Sequence, residues 1–211
     1  CIHVTGNSGI DAVLALRAGR QAPPAGSQPK LLVTCHRRES WGLGLAGIAG
    51  ALRTIADEEI ASVELLLHPN PATAAYVRGL LLGCDSVRLS PPLGHRETVE
   101  AMLGSHCVLS DSGGIQEECA ALGVPLLVLR ERTERPEAIA CGQMALVGTD
   151  PCRIVEAVRG ICASARDQAR PASNPYGDGR ASDRIAAVVA EWLSSAEDAR
   201  PASAAARKAR S

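Results

Sequence analysis

CVLSDSGGIQEECAALGVPLLVL, residues 107–129, is the stretch from which the fold is read. Cys107-Val108-Leu109-Ser110 is a short apolar run with the length of a buried strand. Asp111-Ser112-Gly113-Gly114 interrupts it, since paired glycines suit a turn better than a strand interior. Residues 115–121 read as a helix, stopped by Gly123-Val124-Pro125. Residues 126–129 form a second, wholly apolar strand. A strand, a helix and a strand in immediate succession make a βαβ unit, whose two strands run parallel.

The same alternation continues outward in both directions. Strands are predicted at residues 30–35, 63–67, 87–89 and 145–147, and helices at 45–59, 72–82, 97–103, 151–163 and 181–193. His68-Pro69-Asn70-Pro71 closes the second strand, because proline cannot continue the ladder. Residues 21–29 (QAPPAGSQP) read as a loop or linker, and residues 194–211, rich in Ala, Arg and Ser, as a frayed or disordered tail. Strands alternating with helices predict an α/β domain with a parallel sheet covered on both faces.

Composition bounds the function. The chain has 211 residues, 46% hydrophobic and 21% charged, enough for a sizeable core. Its mean hydropathy is +0.04. A net charge of −1 supplies no electrostatic case for nucleic acid or an anionic membrane. Two Trp, two Tyr and no Phe make a base-stacking surface of aromatic rings a poor expectation. No apolar run reaches membrane-spanning length. The opening CIHVTGN has neither an initiator Met nor a signal-peptide layout and reads as the middle of a longer chain. Eight cysteines without a CxxC pair predict neither zinc nor a disulfide framework, but reduced thiols in a cytoplasmic protein.

In parallel α/β sheets ligands bind at the carboxyl ends of the strands. Four polar clusters follow predicted strands and are expected on one rim: His36-Arg37-Arg38-Glu39, His68-Pro69-Asn70, Asp111-Ser112-Gly113-Gly114 and Arg130-Glu131-Arg132. Gly113 and Gly114 let a ligand approach the backbone, and the helix start behind them favours an anion. Ser112 either donates to that anion or merely caps the helix. Glu117 and Glu118 either settle the helix dipole or accept from sugar hydroxyls; only one can face the site, because neighbours on a helix diverge by about 100°. His36 can serve as acid, base or phosphate partner, and the arginines beside it can neutralise a diphosphate. Arg135 either holds a phosphate or belongs to a charged surface loop, with Pro136 starting a helix behind it. His68 alone reads as a structural loop residue, and His3, His95 and His106 are given no role.

Taken together, VTGNSGIDA (4–12), LLVTCHRRES (31–40), HPNP (68–71), LSDSGGIQEE (109–118), GVPLLVLRERTERPEA (123–138), LVGTD (146–150) and NPYGDGRAS (174–182) resemble the non-hydrolysing bacterial UDP-N-acetylglucosamine 2-epimerase family. The motifs occur in the family's order and cover nearly the whole chain except the tail. The resemblance implies a GT-B architecture, of which this chain is the C-terminal half: a Rossmann-like parallel sheet with helices on both faces. Residues 1–29 are then an interdomain crossover segment and linker, residues 30–193 a Rossmann-like UDP-binding domain with its C-terminal helix, and residues 194–211 the tail.

The implied reaction interconverts UDP-GlcNAc and UDP-ManNAc. UDP leaves by anti elimination to give a 2-acetamidoglucal, then adds back after C2 is reprotonated on the other face. No metal or nicotinamide is implied. By resemblance, Ser112, Gly113 and Gly114 are the diphosphate cradle, Glu118 the ribose-hydroxyl acceptor and Arg135 a further nucleotide residue. His36 is the histidine that stabilises departing UDP. Arg37 and His68 resemble residues of a regulatory UDP-GlcNAc site.

The implied partners are UDP-GlcNAc or UDP, an N-terminal Rossmann-like domain that supplies the C2-handling carboxylates, and a second copy in a homodimer; nucleic acid and membrane are not expected. Two departures stand out: Thr98 replaces the family's aromatic residue near the uracil, and Ser40 replaces Asn. The expected alternative is a UDP-binding module or remnant without turnover. A GT-B glycosyltransferase is disfavoured by the HRRES and TERPE segments.

Overall fold

The computed structural model describes residues 2–17, 28–35, 42–140, 142–163 and 174–198. Six strands form one all-parallel sheet: β1 (Lys30–Thr34), β2 (Ser62–Leu66), β3 (Val87–Ser90), β4 (Cys107–Ser110), β5 (Leu126–Val128) and β6 (Met144–Leu146). Their order is β3-β2-β1-β4-β5-β6, so the direction of winding reverses between β1 and β4. Every strand ends on the same rim, and the reversal opens a crevice there.

The strands are apolar on both sides because helices cover both faces. Leu31 and Val33 point to one face and meet Ile48, Leu52 and Ile55 of α2 (Leu43–Asp57), Val77 of α3 (Pro71–Leu80) and Ile154 and Val158 of α7 (Pro151–Ala163). Leu32 points the other way with Val108, Leu126 and Val128. They pack on Ile10 and Val13 of α1 (Ser8–Arg17), Val99 and Met102 of α4 (His95–Leu103) and Cys119 and Leu122 of α5 (Gly113–Leu122). Each fully buried Leu or Ile contributes about 1.5–3 kcal/mol over its exposed state.

The short α6 (Glu137–Ala140) follows Pro136, as expected of a proline at a helix start. The long α8 (Ala181–Asp198) starts against α1, where the Asp11 carboxylate accepts from the N–H groups of Ala181 and Ser182 at 3.1 and 2.6 Å.

The parallel α/β architecture is the one expected, while several helix boundaries differ by one to five residues. α5 begins at Gly113 rather than residue 115, so both glycines lie in its first turn. First-turn N–H groups have no intrahelical partner, so glycine there costs little. Gly123 ends α5 with φ 70°, a left-handed cap that favours glycine. α8 runs on to Asp198, because Ser194 and Ser195 bond back to the carbonyls of Ala190 and Trp192 instead of breaking the helix. α1 was not read as a helix, although Ile10 and Val13 form its buried stripe.

Candidate functional site

The reversal point is closed by hydroxyls. Thr34 at the end of β1 and Ser110 at the end of β4 are both buried, with their oxygens 2.7 Å apart. Ser110 Oγ also accepts the Ser112 N–H at 3.1 Å, which sets the turn from strand into helix. Ser112 occupies the N-cap position of α5 in extended conformation, yet its side chain makes no capping bond. The bland role for this serine, a simple cap, is therefore not the one it plays.

Arg135 lies directly over that helix start. A Cβ placed on Gly113 would stand 2.8 Å from Nη1 and 2.9 Å from the central carbon of the guanidinium. Only glycine leaves the cation this room. Arg135 Nε donates to Glu117 Oε1 at 2.5 Å, and Asn7 Nδ2 donates to Glu117 Oε2 at 2.8 Å. The Arg135 backbone is held as well. Its N–H donates to Thr133 Oγ1 at 3.1 Å, and Thr133 Oγ1 donates to buried Gln116 Oε1 at 2.6 Å. Its carbonyl accepts from Tyr176 Oη at 3.2 Å.

Glu118 faces elsewhere, as the divergence of helical neighbours requires. Its Oε1 stands 3.5 Å from His95 Nε2 at the start of α4. Burial pushes its carboxyl above the ordinary glutamate value, and His95 opposes part of that rise. Thr98, one turn along α4, donates to the Gly94 carbonyl at 2.9 Å.

Of the expected site residues, Ser112, Gly113, Gly114 and Arg135 come together at one corner, and Glu118 sits one turn along the same helix. His68 lies at the end of β2, two strands from β4; its Nδ1 accepts the Asn70 N–H at 2.9 Å. His36 and Arg37 lie outside the described residues, after β1 has ended beside Ser110. Sequence reasoning missed Asn7, Gln116, Tyr176 and His95, and gave Glu117 no distinct part. NPYGDG offered only a turn signal, and the pairing of Asn7 with Glu117 spans 110 positions. Among the described residues no group of three or more His, Cys, Asp or Glu is placed to hold a metal ion. Six described cysteines are free. No helix among the described residues is long and apolar enough to cross a membrane.

A guanidinium laid over the first turn of a helix, at the reversal of a doubly wound sheet, defines a doubly wound α/β domain whose corner has the charge to suit an anion. The UDP-N-acetylglucosamine 2-epimerase family model matches residues 1–190, and the chain belongs to this family. The UDP-N-acetylglucosamine 2-epimerase of Yersinia pestis is 40% identical over 200 residues, covering 87% of this chain and 53% of the relative. That of Bacillus subtilis is 38% identical over 191 residues, 87% of this chain and 50% of its own. Among solved structures, UDP-GlcNAc 2-epimerase from Neisseria meningitidis bound to UDP-GlcNAc matches with a TM-score of 0.74 at 34% identity, over 89% of this chain and 55% of that one. The chain thus spans about half the length of the relatives it matches, and its doubly wound sheet is one half of a GT-B fold.

Proposed function

We propose that this chain is the nucleotide-gripping, C-terminal half of a UDP-GlcNAc 2-epimerase, which interconverts UDP-GlcNAc and UDP-ManNAc by elimination and re-addition of UDP. The observation that carries the proposal is the Arg135 guanidinium seated on Gly113 at the start of α5. Elimination leaves charge on a diphosphate oxygen. A preset guanidinium and the positive end of a helix lower the energy of that charge without reorganising. In this reading the diphosphate sits on Ser112, Gly113 and Gly114, with the Ser112 hydroxyl as donor. Glu118 accepts from the ribose hydroxyls, and His36, two positions after β1 in the sequence, stabilises UDP as it departs. Arg37 and His68 are assigned to a second, regulatory UDP-GlcNAc site. Support for the ligand comes from the relative bound to UDP-GlcNAc.

The other half of the GT-B fold completes the chemistry by handling the C2 proton. α8 supports a partner of that kind. Ile185, Val189, Trp192 and Leu193 recur at helical spacing and are 41–66% exposed, a stripe suited to an adjoining domain. The crossover segment then lies within residues 1–29, with α1 packed into the UDP-binding domain, and that domain runs from residue 30 to the end of α8 at Asp198, five residues beyond the expected boundary at 193. A homodimer of the complete chain and a cytoplasmic setting belong to the same reading; the free buried thiols fit a reducing compartment.

Calorimetric titration with UDP tests the grip. The unsubstituted chain is expected to bind, and Ser112→Ala, Glu118→Ala and Arg135→Ala each to weaken binding by about 1–3 kcal/mol. Unchanged affinity in all three removes the site. Exchange of the C2 proton of UDP-GlcNAc with deuterated water, expected only once an N-terminal domain is supplied, tests the chemistry.

A further inference from the structure

We propose that Glu117 is a positioning residue for the nucleotide diphosphate: clasped by Asn7 from the start of α1, it holds the Arg135 guanidinium over the first turn of α5. The inference rests on the UDP reading of this corner and deepens it. A bare cation is repelled from a helix amino end, whose N–H groups carry positive charge. Arg135 nevertheless lies there, its two terminal nitrogens 2.8 and 3.3 Å from where a Gly113 Cβ would be. Something must offset that repulsion. The nearest carboxylate is Glu117, at 2.5 Å from Nε; Glu134 is 3.7 Å from Nη1 and is itself engaged by Arg130 through two bonds of 3.0 Å.

The geometry divides the guanidinium into two functions. Nε–H is used internally by Glu117, and the terminal amino groups lie over the helix start, where an arriving diphosphate would meet two parallel donors. Glu117 is in turn held at its second oxygen. Asn7 Oδ1 accepts the Gly9 N–H at 3.0 Å, which orients the amide so that Nδ2 donates to Glu117 at 2.8 Å. Glu117 thus links the beginning of α1 to the charge-binding corner of the sheet.

The sign of one substitution separates this role from plain electrostatics. Glu117 is an anion beside an anion site, so removing its charge should tighten UDP binding if charge were all it contributed. Positioning predicts the reverse. Glu117→Gln keeps the shape but presents a donor to one of its two donor partners. We expect UDP affinity to fall roughly tenfold, the scale of a lost hydrogen bond to a charged group. Affinity for uridine, which carries no phosphate, should stay within about twofold on the same scale. Asn7→Ala should weaken UDP in the same direction by a smaller factor without altering any charge. In an Arg135→Ala background Glu117→Gln should have no further effect on UDP.

Calorimetry with UDP and uridine on the full chain and these variants reads each outcome. Equal or tighter UDP binding by Glu117→Gln, while the unsubstituted chain binds UDP, overturns the positioning role alone. Parallel loss of UDP and uridine also overturns it, by showing general damage. Failure of the unsubstituted chain to bind UDP overturns the functional reading and this inference with it.

Discussion

Helix starts in this molecule are built in two opposite ways. The amino end of α8 is covered by a carboxylate: Asp11 accepts from the Ala181 and Ser182 N–H groups across the junction with α1. The amino end of α3 is treated similarly, with Asn70 accepting from Ala72 and Thr73. At α5 the N-cap serine makes no such bond and the neighbouring charge is a guanidinium. A carboxylate or amide cap consumes the helix's positive end to stabilise the fold. At α5 the cation is balanced by Glu117 through Nε, and no side-chain oxygen from the N-cap covers the helix's positive end. In the proposed reading the two regions separate the part of the molecule that holds itself together from the part that receives the nucleotide.

The ionisable groups divide along the same line. Asp11 is held below the ordinary aspartate range by hydrogen bonds, chiefly from Ser182. Asp178, bonded by both terminal nitrogens of Arg184 near the same junction, is lowered to about 2, mainly by those bonds. Glu118 on α5 moves the other way, raised chiefly by burial. The junction lowers its carboxyls through hydrogen bonds, and burial on α5 raises that of Glu118.

The comparison breaks most sharply at Gly113. Gly113→Ala puts a methyl group where the Arg135 guanidinium lies, and what must yield is the far end of a flexible side chain. UDP affinity should fall by about tenfold or more, through a lost charged hydrogen bond. Thermal stability should barely change. Calorimetry and melting curves on one preparation check both halves, and a large loss of stability without loss of affinity would reverse the assignment.

The converse variants lie in the capped helices. Asn70→Ala should cost about 1 kcal/mol of folding stability, the usual value of a lost N-cap, and leave UDP affinity within error. Asp11→Ala should lower the melting temperature in the same way. Denaturant unfolding with UDP titration checks them; weakened UDP binding by either would erase the distinction between the regions.

Acidification gives the smallest and most graded effect. Asp178 has a native value near 2 against an ordinary 3.8, so its contribution is complete above 3.8 and fades as the pH falls towards 2. Asp11 shifts in the same direction. Glu118 titrates above the ordinary 4.5, so it takes up its proton before the junction carboxylates do. Because its native value is raised, that protonation does not destabilise the fold; it removes an anionic acceptor from the proposed ribose contact. UDP affinity should therefore decline at a higher pH than stability does. Subtracting the profile of Glu118→Gln cancels the titration of the nucleotide's own phosphate, and the residual acid-side decline is the quantity to measure.

Most of the sheet was legible in the sequence. The predicted strand at residues 107–110 is β4 as observed, and those at 30–35, 63–67 and 126–129 differ from β1, β2 and β5 by a residue at one or both ends. Unbroken apolar runs closed by Gly, Pro or polar clusters leave little freedom in where a strand stops. The glycine pair was legible as the passage from a strand into a helix, and its use as a diphosphate cradle is the reading proposed above. The Arg135 to Glu117 pairing was not legible. Adjacent Glu117 and Glu118 look alike in sequence, and only the packing of α5 decides which one meets the arginine. Asn7 and Tyr176 lie 110 and 59 positions from Glu117, too far for local pattern to connect. His95 was passed over because one histidine at a helix start carries no signal until a buried carboxylate is found beside it.

Periodicity and turn chemistry act over a few neighbouring residues, which is why the sequence by itself determined the parallel α/β architecture and the passage from β4 into α5 at the glycine pair. Side-chain direction and charge pairing depend on which distant segments are brought side by side. The tertiary structure alone therefore decided that Glu117 meets Arg135, that Asn7 steadies it, and that the amino end of α5 carries a cation where those of α3 and α8 carry oxygen caps.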